Sequence, residues 1–184
     1  VMPRYKSLAD GDVRSKTHPG DLVTVADEEA EQELTGTLID LLPGSRVVGE
    51  EAVAKDPDLL DQFNTDVPVW IIDPIDGTRS FVQGSRTWAI SIAVARHGQI
   101  TAAAIFLPLR NKMYAAGLGA GSTLNGKPVY VAASAPDAQA KVLAARPNMD
   151  ARNWPGGIPP LDRHYRPSLA YRLSLVGEGR FDGM

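Results

Sequence analysis

Trp70-Ile71-Ile72-Asp73-Pro74-Ile75-Asp76-Gly77-Thr78 joins an apolar run to two carboxylates, a glycine and a hydroxyl. Val69–Ile72 reads as a buried strand, so the acidic pair falls at a strand's end. Carboxylates this close repel each other unless something cationic lies between them. Hard dications such as Mg2+ take oxygen ligands and commonly share their shell with substrate phosphate. Gly77 allows the backbone to approach a ligand closely. Thr78 to Phe81 read as the start of a helix whose free amides face an anion. The segment is read as a metal-and-phosphate site. The competing reading is an acidic turn that caps a helix.

Two upstream segments extend the pattern. Asp21-Leu22-Val23-Thr24-Val25-Ala26-Asp27 precedes a stretch with Ala30, Leu34, Leu38 and Leu41 near helical spacing. Thr24 and Asp27 fit a capping box with an acidic residue in place of the usual Glu, and capping alone accounts for Asp27. Val47-Val48-Gly49-Glu50-Glu51 is a second short apolar run ending in carboxylates, which in isolation reads as a solvated turn.

In this order and spacing the segments resemble the inositol monophosphatase family of metal-dependent, lithium-sensitive phosphatases. The matching pieces are Asp21-Leu22-Val23-Thr24 with Asp27, Gly49-Glu50-Glu51, and Asp73-Pro74-Ile75-Asp76-Gly77-Thr78 with Phe81. The similarity continues through Trp88–Ala93, Gly98 and Pro108–Gly126. It returns at Ser168-Leu169-Ala170 and Val176–Asp182, and is weakest over residues 135–165.

The resemblance implies an αβαβα sandwich of the inositol monophosphatase and fructose-1,6-bisphosphatase type, an α/β layered fold with an antiparallel sheet in its first subdomain. It implies two or three Mg2+ ions, with Asp73 bridging, Glu50 and the Ile75 carbonyl on the first ion and Asp76 on the second. Asp27 holds Thr78, and Thr78 with Glu50 orients the attacking water. Amides of Gly77 and Thr78 hold phosphate, and Ser168 and Ala170 meet the rest of the substrate. Lys16 matches a lysine of the family's mobile loop; a solvated surface lysine is the alternative. The family also carries a metal-binding aspartate in a Trp-Asp motif a short way past the segment resembling Val176–Asp182, with a sugar-contacting acidic residue just before it. No Trp-Asp pair occurs here, so the chain is expected to be incomplete, with that ligand beyond Met184.

Composition bounds the function. The 184 residues suit one domain or two small ones. A net charge of −3 provides no basic footprint for nucleic acid. The absence of cysteine excludes disulfides, thiol catalysis and thiolate metal sites, and fits a cytoplasmic location. No apolar run approaches the roughly 20 residues that span a bilayer. His18, His97 and His164 are isolated along the chain and are assigned no role.

Along the chain, residues 11–20 read as a mobile polar loop, followed by a helix from about Asp27 to Pro43-Gly44. A short helical turn is expected at Asp58–Phe63. Val69–Ile72, Trp88–Ala95, Gln99–Phe106 and Lys112–Ala116 read as strands with tight connections, an antiparallel meander. Asn125-Gly126 marks a further turn, and the glycines of Gly117–Gly121 read as a hairpin rather than a phosphate loop. Val142–Ala145 reads as a short strand, residues 147–163 as a loop and Leu169–Val176 as a helix. A soft boundary near Pro136 separates a metal- and phosphate-binding part, 1–135, from a substrate-side part, 136–184.

The expected activity is a Mg2+-dependent phosphoric monoester hydrolase acting on a small phosphorylated polyol, with inositol monophosphate as the leading substrate. Within the family the alternatives are a 3′(2′),5′-bisphosphate nucleotidase, a fructose-1,6-bisphosphatase and a histidinol-phosphatase. A haloacid-dehalogenase phosphatase is disfavoured, because its Asp-x-Asp-Gly-Thr motif has one residue between the aspartates where Pro74-Ile75 stand here. A regulatory or assembly protein on a phosphatase scaffold is the non-enzymatic alternative. The family habit also implies a homodimer.

Overall fold

The computed structural model describes residues 1–133 and 139–184. The boundary drawn near Pro136 lies outside the described residues.

The chain enters through a hairpin. β1 (Val13–Ser15) pairs antiparallel with β2 (Leu22–Thr24). Residues 11–20 are therefore not wholly a loop as expected: three of them carry a strand, and Lys16 N–H closes the connection onto Asp21 O at 2.8 Å. α1 (Val25–Leu41) starts on the expected Thr24–Asp27 capping box. It buries Ala26, Ala30 and Leu38 at helical spacing.

β3 (Arg46–Gly49) leads directly into α2 (Glu50–Lys55), and a 3-10 turn follows at Pro57–Asn64. β4 (Val69–Asp76) then carries the acidic pair at its end, and α3 (Thr78–Val82) begins two residues later. β5 (Ala89–Arg96), β6 (Gln99–Leu107), β7 (Lys112–Gly117), β8 (Gly121–Leu124) and β9 (Lys127–Val129) complete a seven-stranded sheet in the order β3-β4-β5-β6-β7-β8-β9. The meander from β4 to β9 is antiparallel, as the short connections imply. The β8–β9 turn places Asn125 and Gly126 at φ 49° and 77°, the left-handed pair that a two-residue hairpin needs.

One pairing departs from the antiparallel expectation. β3 runs parallel to β4, with Gly49 opposite Ile72, so the sheet is mixed. A parallel neighbour needs a crossover, and α2 with the 3-10 turn supplies it. A second departure lies beyond residue 139. β10 (Lys141–Leu143), near the short strand expected at Val142–Ala145, pairs parallel with β11 (Asp162–His164), which begins within the 147–163 stretch read as a loop. α4 (Leu169–Gly177) forms where a helix was expected.

Two buried clusters fix the site. Tyr171, Leu175 and Ala170 of α4 pack with Ala89, Leu107, Tyr114, Leu143 and Phe181, clamping α4 to the sheet. Ala26, Ile75, Phe81 and Trp88 form the other cluster, directly under the acidic strand end. Phe81 and Trp88 meet edge to face at 5.2 Å between centroids, and Tyr5 closes the group. Trp88 is thus part of the core.

Candidate functional site

The acidic strand end is shaped by Pro74. Proline offers no N–H to the ladder, and the β4–β5 register shifts between Asp73 and Asp76. The Ile75 side chain turns into the core, 1% exposed, while Ile75 N–H donates to Asp73 Oδ1 at 3.1 Å. Gly77 then takes φ 97°, a left-handed conformation that starts α3 sharply. A Cβ there would stand 3.2 Å from Thr87 O and 3.4 Å from Ser168 Cβ.

Three chain segments converge on this turn. α1 brings Asp27, buried at 1% exposure. Its Oδ2 accepts from Thr24 N–H at 2.8 Å and Thr24 Oγ1 at 2.6 Å, while its Oδ1 lies 3.3 Å from Thr78 Oγ1. The Thr78 hydroxyl is shared with Ile75 O at 3.2 Å. Burial, with the nearby charge of Glu50, raises the Asp27 pKa against the Thr24 and Thr78 hydrogen bonds that lower it. The expected Asp27–Thr78 pair is therefore in place.

α2 brings Glu50. Because Gly49 is registered opposite Ile72 in the parallel pair, the next residues, Glu50 and Asp73, lie side by side. Burial, then the charges of Glu50 and Asp76 and a hydrogen bond to Glu50, push the Asp73 carboxyl up to about 9. Lys16, from the β1–β2 connection, donates to Glu50 Oε1 at 2.7 Å and to Glu51 Oε1 at 2.8 Å, with its side chain only 11% exposed. Burial lowers the Lys16 pKa, but its bonds to Glu50 and Glu51 more than offset this and raise it. Burial pushes Glu51 up to about 7 despite the Lys16 contact. Lys16 is thus held by Glu50 and Glu51 and is not a solvated surface lysine.

α4 brings Ser168 and Ala170, and here the geometry differs from a simple array of ligands. The Asp76 carboxylate accepts from Ser168 Oγ, from Leu169 N–H at 3.2 Å and from Ala170 N–H at 2.7 Å. Ser168 Oγ in turn accepts Tyr171 N–H at 3.0 Å as the helix cap. Ser168 and Ala170, read as substrate contacts, reach the site but give their polar groups to Asp76.

Glu50 and Asp73 therefore face each other, whereas Asp76 is turned toward the start of α4. Among the described residues no group of three or more His, Asp or Glu side chains is placed to hold a metal ion. The donor chemistry still suits a hard dication. The Glu50 carboxylate, which raises the proton affinity of Asp73, forms with it the kind of oxygen pair that Mg2+ uses while keeping several waters. His18 accepts from Gly20 N–H, His97 lies by Asp66 and His164 by Asp162.

One residue at the site escaped the sequence reading. Glu31, on α1 and 8% exposed, accepts Glu51 N–H and Ala52 N–H, each at 2.8 Å. The available signal was its spacing, four residues after Asp27 on the same helical face.

The chain belongs to the inositol monophosphatase family, whose sequence model matches residues 1–165. Among its relatives is the inositol-1-monophosphatase of Rhizobium meliloti, 32% identical over 200 residues that cover 100% of this chain and 72% of that protein. Human inositol monophosphatase 1 is 37% identical over 119 residues, covering 65% of this chain and 42% of that protein. The chain thus spans about two fifths of the length of the first curated relatives it matches. The solved IMPase of Thermotoga maritima superposes with a TM-score of 0.81 at 25% identity, over 98% of this chain and 67% of that one. No helix among the described residues is long and apolar enough to cross a membrane.

Proposed function

We propose that this protein is a Mg2+-dependent phosphomonoesterase whose leading substrate is inositol monophosphate. The observation that carries the reading is the Asp27–Thr78 contact beside the Glu50–Asp73 carboxylate pair. That contact joins residues 51 positions apart and aims a hydroxyl at the acidic strand end. A buried carboxylate that fixes a hydroxyl next to paired acidic groups suits the positioning of a water for attack on phosphorus.

Glu50 and Asp73 would hold the first ion with the Ile75 carbonyl, and Asp73 with Asp76 would serve a second. When bound, such ions supply Lewis acidity to phosphate and water. The chain's own residues do the rest. Asp27 keeps Thr78 in one rotamer, and Thr78 and Glu50 orient the water in line. Amides at the start of α3, from Gly77 and Thr78, lack intrahelical acceptors and bind phosphate oxygens. Ser168 and Ala170 stand where the remainder of the substrate would lie. Residues 1–135 would form the metal- and phosphate-binding part and 136–184 the substrate side, in a cytoplasmic homodimer.

The test is phosphate release by the purified protein from inositol 1-phosphate, 3′-phosphoadenosine 5′-phosphate, fructose 1,6-bisphosphate and histidinol phosphate, with and without Mg2+. Preference for inositol 1-phosphate with inhibition by Li+ supports the reading. Preference for the adenosine bisphosphate changes the substrate and leaves the mechanism. No Mg2+-dependent release from any of them favours the regulatory scaffold.

A further inference from the structure

We infer that Glu31 is a positioning residue for Glu50, acting through the first turn of α2. The inference rests on the proposed assignment of Glu50 to metal. α2 is only six residues long and its N-cap is Gly49, which has no side chain to cap with. Short helices are marginal alone, and their first amides need outside acceptors. Glu31 provides both from another helix: Oε2 accepts Glu51 N–H and Oε1 accepts Ala52 N–H. A carboxylate at a helix start also complements the positive end of the helix dipole.

Gly49 reports how tightly this contact is built. Its backbone, φ −101° and ψ 153°, is open to any residue. A Cβ at position 49 would nevertheless stand 2.2 Å from Glu31 Cδ and 2.4 Å from Glu31 Oε2. A side chain at position 49 would have to push the Glu31 carboxylate aside, so glycine is favoured there by that contact and not by backbone conformation. Gly49 is also the residue paired with Ile72, one step before Glu50 and Asp73 stand side by side. Glu31 therefore pins the turn that sets the distance between those two carboxylates. One face of α1 serves both halves of the site: Asp27 holds Thr78, and Glu31, one turn later, holds the start of α2.

The test uses the purified protein and Mg2+ titrated by calorimetry, with amide hydrogen exchange at Glu51 and Ala52. Glu31→Gln keeps the shape but replaces one acceptor oxygen with a donor. Mg2+ affinity is expected to fall about 10- to 100-fold, the range for partners that orient a metal ligand, with faster exchange at both amides. In a Glu50→Gln background the same change should leave the remaining Mg2+ affinity nearly unaltered. Unchanged affinity in Glu31→Gln, or an equal loss in both backgrounds, overturns the inference. Gly49→Ala, which keeps Glu31 but displaces it, should reproduce the loss, and wild-type affinity in that variant also counts against the inference. If Glu50→Gln binds Mg2+ like the wild type, the metal assignment itself fails and this inference falls with it. Loss in Glu50→Gln alone, with none in Glu31→Gln, removes the positioning role and leaves that assignment standing.

Discussion

The carboxylate of Asp76 accepts a hydrogen bond from the backbone N–H of Ala170 at 2.7 Å, across 94 positions of sequence. With the bonds from Ser168 Oγ and Leu169 N–H, it ties the end of β4 to the first turn of α4. The residue that the motif offers as a metal ligand thus also caps the first turn of α4. A change at one end of this contact is felt at the other.

Ser168→Ala should cost about 1–2 kcal/mol of stability, because it removes both the α4 cap and one of the bonds to Asp76. Urea unfolding reads this directly. A loss well below 1 kcal/mol would mean that the backbone amides alone hold Asp76.

If the proposed function holds, Thr78→Ala should reduce turnover on the order of 10²-fold with little change in KM, because it removes a group that would act on the attacking water rather than on bound substrate. Thr78→Ser keeps the hydroxyl and should retain most of the activity. Steady-state kinetics of the two variants separate loss of the hydroxyl from loss of packing. Asp73→Asn should nearly abolish turnover, since it weakens the oxygen set shared with Glu50.

Asp73 also predicts a pH dependence for the metal-free protein. Its carboxyl is raised from 3.8 to about 9. Between those values the folded chain holds a proton that the unfolded chain releases, so this group's contribution to stability falls as pH rises through the window. In EDTA, melting temperature should drop from about pH 6 to about pH 8.5, and Asp73→Asn should flatten that slope. Mg2+ should raise the melting temperature more at the higher pH, because a cation replaces the proton between the carboxylates.

Gly77→Ala should destabilise by about 1–2 kcal/mol, the cost of a left-handed backbone for a residue with a Cβ. The contact of the new methyl with Thr87 O adds to it. Chemical denaturation measures the loss. An unchanged midpoint would show that the turn relaxes out of its left-handed form.

Much of this protein was legible in its sequence. The Asp27 capping box, the tight turns at Asn125-Gly126 and Gly117–Gly121 and the meander strands depend on neighbours a few residues apart. Local spacing and turn chemistry are enough to encode such features. Asp73 stands out as one of an acidic pair at the end of an apolar run, whereas Glu50 in isolation reads as part of a solvated turn and is singled out only through the family resemblance.

Tertiary structure decided the rest, because the deciding contacts join residues that no local pattern links. The parallel pairing of β3 with β4 sets Glu50 beside Asp73, and a crossover connection leaves no turn signature of that register. The strand in the 11–20 segment exists because it pairs with β2. Asp76 turns to α4 because unpaired helix-start amides compete for the same oxygens that a cation would take. Glu31 is given its role only by the packing of α2 against α1, where two amides provide a buried carboxylate with its partners. Residue type and spacing determine which groups are available to this site; only the packing of α1, α2 and α4 around one strand end determines which group each of them meets.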